Sequence, residues 1–260
     1  MLIVSNKTRQ VMKSRTIVAM ATMAATALPA AAQYQCLCCD RTSVPDTVEC
    51  ARLQYYIDTQ HQNKYTELWG QRATLFEALP VDTNDIVMLG NSLTHGCEWH
   101  ELLGLPNVLN RGIIGDVIEG IRLRVDPILK GHPKKIFLLT GVNDVSHDLS
   151  ADSIANAMGE LIDYIRTRSP QTRLYVQSML PINNSFGRYK NLKGKEQVIR
   201  DANALIAAMA QDKGFTWINL YTAVADKEGN LRKDLTNDGL HLLAPGYRIW
   251  ADIIRPYINE

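Results

Sequence analysis

The sequence predicts an α/β fold: a three-layer, doubly wound parallel sheet of about five strands, preceded by an N-terminal helical segment. Three observations predict it. Five short apolar runs recur along the chain, and segments with helical periodicity and recognisable starts lie between them. The 260-residue chain, 46% hydrophobic, also has the length to bury one large core. Strict alternation of strand and helix implies parallel strands with helices on both faces of the sheet. No internal repeat or low-complexity tract is visible, and a second catalytic domain is not expected.

In chain order, residues 1–32 read as a signal peptide. Lys7, Arg9, Lys13 and Arg15 precede an apolar run over 16–28, which ends in Pro29-Ala30-Ala31-Ala32, so cleavage after Ala32 leaves Gln33 as the mature start. Met12 competes with Met1 as the true start, since Met12-Lys13-Ser14-Arg15 already forms a basic n-region. The run is too short and too rich in Ala and Thr for stable membrane insertion, because a spanning helix takes roughly 20 apolar residues. The expected location is therefore periplasmic or extracellular. Four of the five cysteines, Cys36, Cys38, Cys39 and Cys50, follow the cleavage site, and Cys97 stands apart. Two disulfides within the cluster, or one reaching Cys97, both fit an exported protein. Zinc is disfavoured because Cys38 and Cys39 are adjacent, whereas zinc ligand pairs are usually spaced by two to four residues.

Residues 33–80 form a cysteine-containing and helical segment expected to pack on a core domain at 81–260. Leu53, Tyr56, Leu68, Leu75 and Phe76 are spaced as on one or two amphipathic helices, which Pro80 stops. The strand candidates are Ile86-Val87-Met88-Leu89, Val108-Leu109, Ile136-Phe137-Leu138-Leu139, Leu174-Tyr175-Val176 and Trp217-Ile218, each short and apolar enough to be buried on both faces. Between them, Asp116 and Glu119 resemble a capping box opening a helix over 117–129, and Ser150 caps a segment in which Ile154, Met158, Leu161, Ile162 and Ile165 recur at helical spacing. A third helix is expected over 195–213. A last one begins at Pro245, whose fixed φ suits a first turn.

Lys and Arg number 28 against 27 Asp and Glu, so there is no basic field to collect nucleic acid or an anionic surface. No phosphate-cradling glycine loop and no H-E-x-x-H motif appears, which leaves neither a cofactor nor a metal implied. The chemistry concentrates instead in four short segments: Gly90-Asn91-Ser92-Leu93-Thr94, Asn110-Arg111-Gly112, Gly141-Val142-Asn143-Asp144 and Asp238-Gly239-Leu240-His241. Each alone is ordinary turn sequence. Three of them, however, directly follow the first three strands, and ligands of such sheets bind beyond the carboxyl ends of the strands.

These four ordered segments resemble the nucleophile, glycine, G-x-N-D and D-x-x-H blocks of the SGNH, or GDSL-type, hydrolases. The resemblance runs from about residue 85 to the C-terminus and implies the flavodoxin-like fold of that family. Asn91 departs from it, standing where the family usually has Asp; this touches loop hydrogen bonding more than catalysis. Thr94 excludes the nucleophile elbow of the ordinary α/β-hydrolases, which needs Gly there.

The resemblance implies that Ser92 is the nucleophile, His241 its base and Asp238 the carboxylate that orients the imidazole. It also implies an oxyanion hole built from the N–H groups of Ser92 and Gly112 and the side-chain amide of Asn143. Glycine at 112 would let the substrate approach its N–H closely. His95, Trp99 and Arg111 are candidate pocket residues, although a Trp after a buried strand is more often core. His147 and Asp148 imitate a catalytic pair but precede the Ser150 cap as loop residues.

The expected protein is a secreted serine esterase that removes short acyl groups, acetyl above all, from carbohydrate. The polar loops His95-Gly96-Cys97-Glu98-Trp99-His100 and 183–190 favour sugar over lipid. A lysophospholipase or thioesterase, and a silent glycan-binding protein, are the alternatives. The expected partner is a small-molecule or glycan ester, with the oligomeric state open.

Overall fold

The computed structural model describes residues 67–260. The leader, its cleavage site, the two start methionines, Cys36, Cys38, Cys39, Cys50 and the first part of the helical approach lie outside the described residues. The described chain opens with α1 (Glu67–Ala78), which buries Trp69, Gly70, Ala73 and Phe76. Leu75, expected to face inward, is 44% exposed. The two aromatic side chains take the inward face instead, and the Trp69 indole N–H donates to Asp116 Oδ1 at 2.9 Å.

Five strands follow, each near an expected run: β1 (Ile86–Gly90), β2 (Val108–Gly112), β3 (Lys135–Leu139), β4 (Arg173–Gln177) and β5 (Thr216–Ile218). All pair in parallel, in the order β2-β1-β3-β4-β5. Alternate residues along each strand point to opposite faces. Val87, Leu89, Ile136 and Leu138 join one core cluster, and Ile86, Met88, Phe137 and Leu139 join the other.

The connections supply the outer layers. In chain order they are α2 (Ser92–His95), α3 (Trp99–Leu103), α4 (Ile118–Arg124), α5 (Asp126–Lys130), α6 (Val142–Ser146), α7 (Ala151–Arg168), α8 (Glu196–Ala208), α9 (Ala210–Lys213), α10 (Tyr221–Val224) and α11 (Ala244–Asn259). Apolar residues of α4, α5, α7 and α8 fill the first cluster; those of α3 and α11 fill the second. This is the expected three-layer architecture. Its strand order reverses between β1 and β3, the switch point where such sheets place their ligands.

Two expected helices differ in detail. The span 117–129 divides at Val125, because Pro127 falls in the first turn of α5, where its missing N–H does no harm, rather than in the middle of one long helix. Asp116 does not cap α4. It is fully buried, and its Oδ2 accepts from Arg124 Nε at 2.7 Å. The first turn of α4 is met instead from across the fold, by Asp144, whose two carboxylate oxygens accept from Ile118 N–H at 3.3 Å. The span 195–213 likewise divides, at Met209.

The other starts form as expected. Ser150 Oγ accepts from Ser153 N–H at 3.2 Å to open α7, and Pro245 lies in the first turn of α11. At the far end of α11, buried Lys135 donates to the carbonyls of Tyr257 and Ile258, two of the acceptors a helix terminus leaves open.

Candidate active site

Ser92 is the first residue of α2, two residues past Gly90 at the carboxyl end of β1. Asn91 caps that helix: its backbone is extended and its Oδ1 accepts from Leu93 N–H at 3.0 Å. An aspartate would use the same oxygen for the same task, so the departure at 91 preserves the cap. The remaining amide nitrogen of Asn91 is buried without a partner. As first helical residue, Ser92 carries an N–H that the helix itself cannot satisfy.

The loop between the short 3-10 turn Lys233–Leu235 and α11 brings the other two residues in. His241 Nε2 lies 2.9 Å from Ser92 Oγ, and His241 Nδ1 lies 2.8 Å from Asp238 Oδ2. Hydroxyl, imidazole and carboxylate thus form one hydrogen-bonded chain across 149 residues of sequence. The carboxylate is fixed from its other side, where Oδ1 accepts the N–H groups of Leu240 and His241 at 2.9 and 2.8 Å. Burial works to raise the Asp238 carboxyl, but the hydrogen bonds from the His241 ring, from the His241 and Leu240 backbone and from the Tyr189 hydroxyl outweigh it and hold the group at about 2. It is therefore an anion at neutral pH. The chain Oγ–imidazole–carboxylate is the arrangement that raises the nucleophilicity of a hydroxyl, since a proton leaving Ser92 has an acceptor whose resulting charge is already matched.

Gly112 ends β2 beside Ser92, and Asn143 lies on α6 just past β3, so the two flank β1 from its two neighbouring strands. Their hydrogen bonds qualify the expectation for both. Gly112 N–H donates to Asn110 Oδ1 at 2.8 Å, and one Asn143 amide hydrogen donates to Asp116 O at 2.8 Å. The Asn143 amide keeps a second hydrogen. The absence of a side chain at 112 also has a different cause from substrate access: a Cβ there would lie 2.2 Å from His95 N and 2.7 Å from His95 Cα. Glycine lets the end of α2 sit against β2.

Asn110 completes that junction, and its role was missed in the sequence although it lies in a quoted segment. Its amide nitrogen approaches the carbonyls of Thr94, His95 and Cys97 at 3.1, 3.2 and 2.9 Å, gathering acceptors that the end of a short helix leaves open.

The three candidate pocket residues fare less well. Trp99 is 0% exposed, donates to Thr94 O at 2.8 Å and stands edge-on to Tyr247 and Trp250, so it is core. Arg111 is buried with its guanidinium over the Phe76 ring, and burial lowers it to about 10. It faces α1 rather than a substrate. His95 is half-buried and tied through Nδ1 to Gly112 O at 3.1 Å, which makes it a brace of the α2–β2 junction.

Rival nucleophiles are placed elsewhere. Cys97 is a free, buried thiol that burial pushes up to about 12, with Glu98 adding to the shift; it carries no thiolate at neutral pH. Ser178 is buried, its Oγ accepting the N–H groups of Leu220 and Tyr221. His147 and Asp148 are exposed, and Asp148 pairs with Lys195 at 2.6 Å.

A family model for GDSL-like lipases and acylhydrolases matches residues 88–249, which contain all four segments. The chain belongs to that family. Membership makes acyl-ester hydrolysis its class of activity. Among curated relatives, human platelet-activating factor acetylhydrolase IB subunit alpha1 is 27% identical over 190 residues, covering 68% of this chain and 78% of that protein. The bovine alpha2 subunit is 27% identical over 182 residues, covering 66% and 73%. Solved structures share the fold. One from Streptococcus pneumonia, described as a platelet activating factor, superposes with a TM-score of 0.70 at 24% identity, covering 78% of this chain and 99% of that one. A GDSL-like lipase from Bacteroides thetaiotaomicron gives 0.64 at 23% identity, covering 74% and 97%.

Proposed function

We propose that this GDSL-family hydrolase is an exported serine esterase that cleaves short acyl esters, acetyl above all, from a carbohydrate alcohol, with Ser92 as nucleophile, His241 as general base and acid, and Asp238 as the orienting carboxylate. The observation that carries the reading is the continuous hydrogen-bond chain from Ser92 Oγ through His241 to Asp238.

In the first step Ser92 Oγ attacks the ester carbonyl carbon while its proton passes to His241 Nε2. The imidazolium so formed is held by the Asp238 anion. Negative charge grows on the carbonyl oxygen, where the Ser92 N–H and the second amide hydrogen of Asn143 are the first donors at hand. Gly112 N–H joins by sharing its hydrogen between Asn110 Oδ1 and the new oxyanion. Collapse of the tetrahedral intermediate breaks the bond to the alcohol oxygen, which takes the proton from His241. Water then repeats the sequence on the Ser92 ester, releasing the carboxylic acid and restoring the hydroxyl.

One observation supports a small acyl group and a second a carbohydrate alcohol. The curated relatives are named for an acetylhydrolase activity. The loop 183–190 that closes on the acid–base pair is mostly polar and half-buried or exposed around Asn184, Ser185, Arg188 and Tyr189, a lining suited to hydrogen bonding with a sugar. Exposed Ile114 and Leu243, close in sequence to Gly112 and His241, favour the second reading, a lipid-directed esterase such as a lysophospholipase or thioesterase that takes long acyl groups. Catalytic efficiency on acetyl, butyryl and octanoyl esters of one alcohol separates the two. The short-acyl reading expects a fall along the series; a rise from acetyl to octanoyl rejects it in favour of a lipid-directed esterase.

A further inference from the structure

One side chain outside the four segments reaches both members of the proposed acid–base pair. Tyr189 lies in the loop between β4 and α8, and its hydroxyl donates to Asp238 Oδ2 at 3.0 Å while standing 3.1 Å from His241 Nδ1. With the 2.8 Å bond between ring and carboxylate, these three atoms close a triangle. The Tyr189 ring meets the imidazole edge-on, with centroids 5.7 Å apart and planes at 69°.

The same loop grips the D-G-L-H segment at a second point. Asn183 N–H donates to Gly239 O at 2.8 Å, and Asn183 Nδ2 donates to Leu231 O at 2.7 Å. Gly239 has φ +87, and a Cβ there would fall 2.3 Å from Asn183 O, so the two loops pack with no space for a side chain. A backbone tie at one end and a hydroxyl at the other is more than covering the site requires. Both contacts fix the position of the two residues that must hold a proton in flight.

We infer that Tyr189 is a positioning residue for the acid–base pair: its hydroxyl pins Asp238 Oδ2 and, through that shared acceptor, sets the orientation and basicity of His241. This rests on the reading that Ser92, His241 and Asp238 are the catalytic set. The carboxylate oxygen facing the ring accepts two donors, and the other accepts two backbone N–H groups and, at 3.3 Å, the Thr236 hydroxyl, so Asp238 is fully occupied. A carboxylate that also receives the tyrosine hydrogen draws the imidazole proton less strongly than one that does not. The other groups facing the pair are Ser92 from α2, Arg188 beside Tyr189, and Tyr247 from α11, whose hydroxyl donates to Leu93 O. None of these supplies a hydrogen to Asp238 Oδ2 in place of Tyr189.

Tyr189→Phe and Tyr189→Ala test this. Phe keeps the ring edge against His241 and removes only the hydroxyl. The inference expects Tyr189→Phe to lower kcat by about tenfold with little change in KM, the loss of roughly one hydrogen bond to a charged group. The acid limb of the pH–rate profile should move to higher pH, because Asp238, relieved of one donor, holds the proton on the ring more strongly. The ring-proton NMR titration curve of His241, assigned with His241→Gln, should move the same way, a readout that needs no turnover. Profiles and titration curves of Tyr189→Phe that superimpose on the wild type, with only Tyr189→Ala impaired, would overturn the inference and leave ring packing as the residue's whole role. Wild-type protein that hydrolyses esters without modification of Ser92 would instead sink the catalytic reading, while the His241 titration still decides what Tyr189 does to the ring.

Discussion

Ser92, His241 and Asp238, which the fold joins by hydrogen bonds, could be singled out in the sequence because each sits in a short segment whose neighbours are also constrained. The donors around them were less so. Asn143 was assigned an oxyanion role, and the structure adds that one of its hydrogens is already spent on Asp116 O. Asn143→Ala therefore removes both a structural bond and the hydrogen left for the transition state. It should lower kcat by about 10²–10³ while Ser92 remains reactive toward a covalent inhibitor, since an oxyanion donor acts on the developing charge and not on the attacking group. Steady-state kinetics beside inhibitor labelling check this; loss of labelling would show that Asn143 holds Ser92 itself in place. Arg111 was misplaced for a simple reason: closeness in sequence to Gly112 does not say which side of a strand a side chain leaves from, and Trp99 took the core position that a Trp after a buried strand more often takes. Tyr189 carried no sequence signal at all, being one aromatic in a polar loop whose fold brings it to His241.

At the scale of elements, the five strands were readable because runs buried on both faces leave a continuous apolar record. Caps that come from remote sequence leave none. The first turn of α4 is held by Asp144, which lies 26 residues downstream, and no local pattern encodes that bond. The arrangement has a measurable cost. Burial, opposed by the Ile118 N–H bond and increased by Asp116 and Glu119, raises the Asp144 carboxyl to about 7. The folded state then binds a proton that the unfolded chain has released, so this group's contribution to stability falls as pH rises from about 4 to about 7. Asp144→Asn keeps an acceptor for Ile118 N–H and removes the ionisation. It should raise Tm at pH 8 relative to the wild type and flatten the fall in Tm across that window, as thermal unfolding at a series of pH values would show. A variant less stable than the wild type at pH 8 would mean that the charge itself holds α4.

For the whole molecule, the strand order puts a switch point between β1 and β3, and Ser92 lies just beyond the carboxyl end of β1 there. Sequence shows that order only indirectly, through which segments follow which strands. The N-terminal 32 residues predict an exported protein whose mature chain starts near Gln33. Mass spectrometry of protein recovered from outside the cytoplasm should find that start, and soluble cytoplasmic protein beginning at Met1 or Met12 would contradict export without touching the esterase. The central claim is that Ser92 becomes esterified during turnover. Treating the protein with a fluorophosphonate and mapping the modified peptide tests it most directly: the account predicts a single adduct on Ser92, absent from Ser92→Ala along with ester hydrolysis, whereas an adduct on Ser178 or Cys97, or hydrolysis that survives Ser92→Ala, would contradict it.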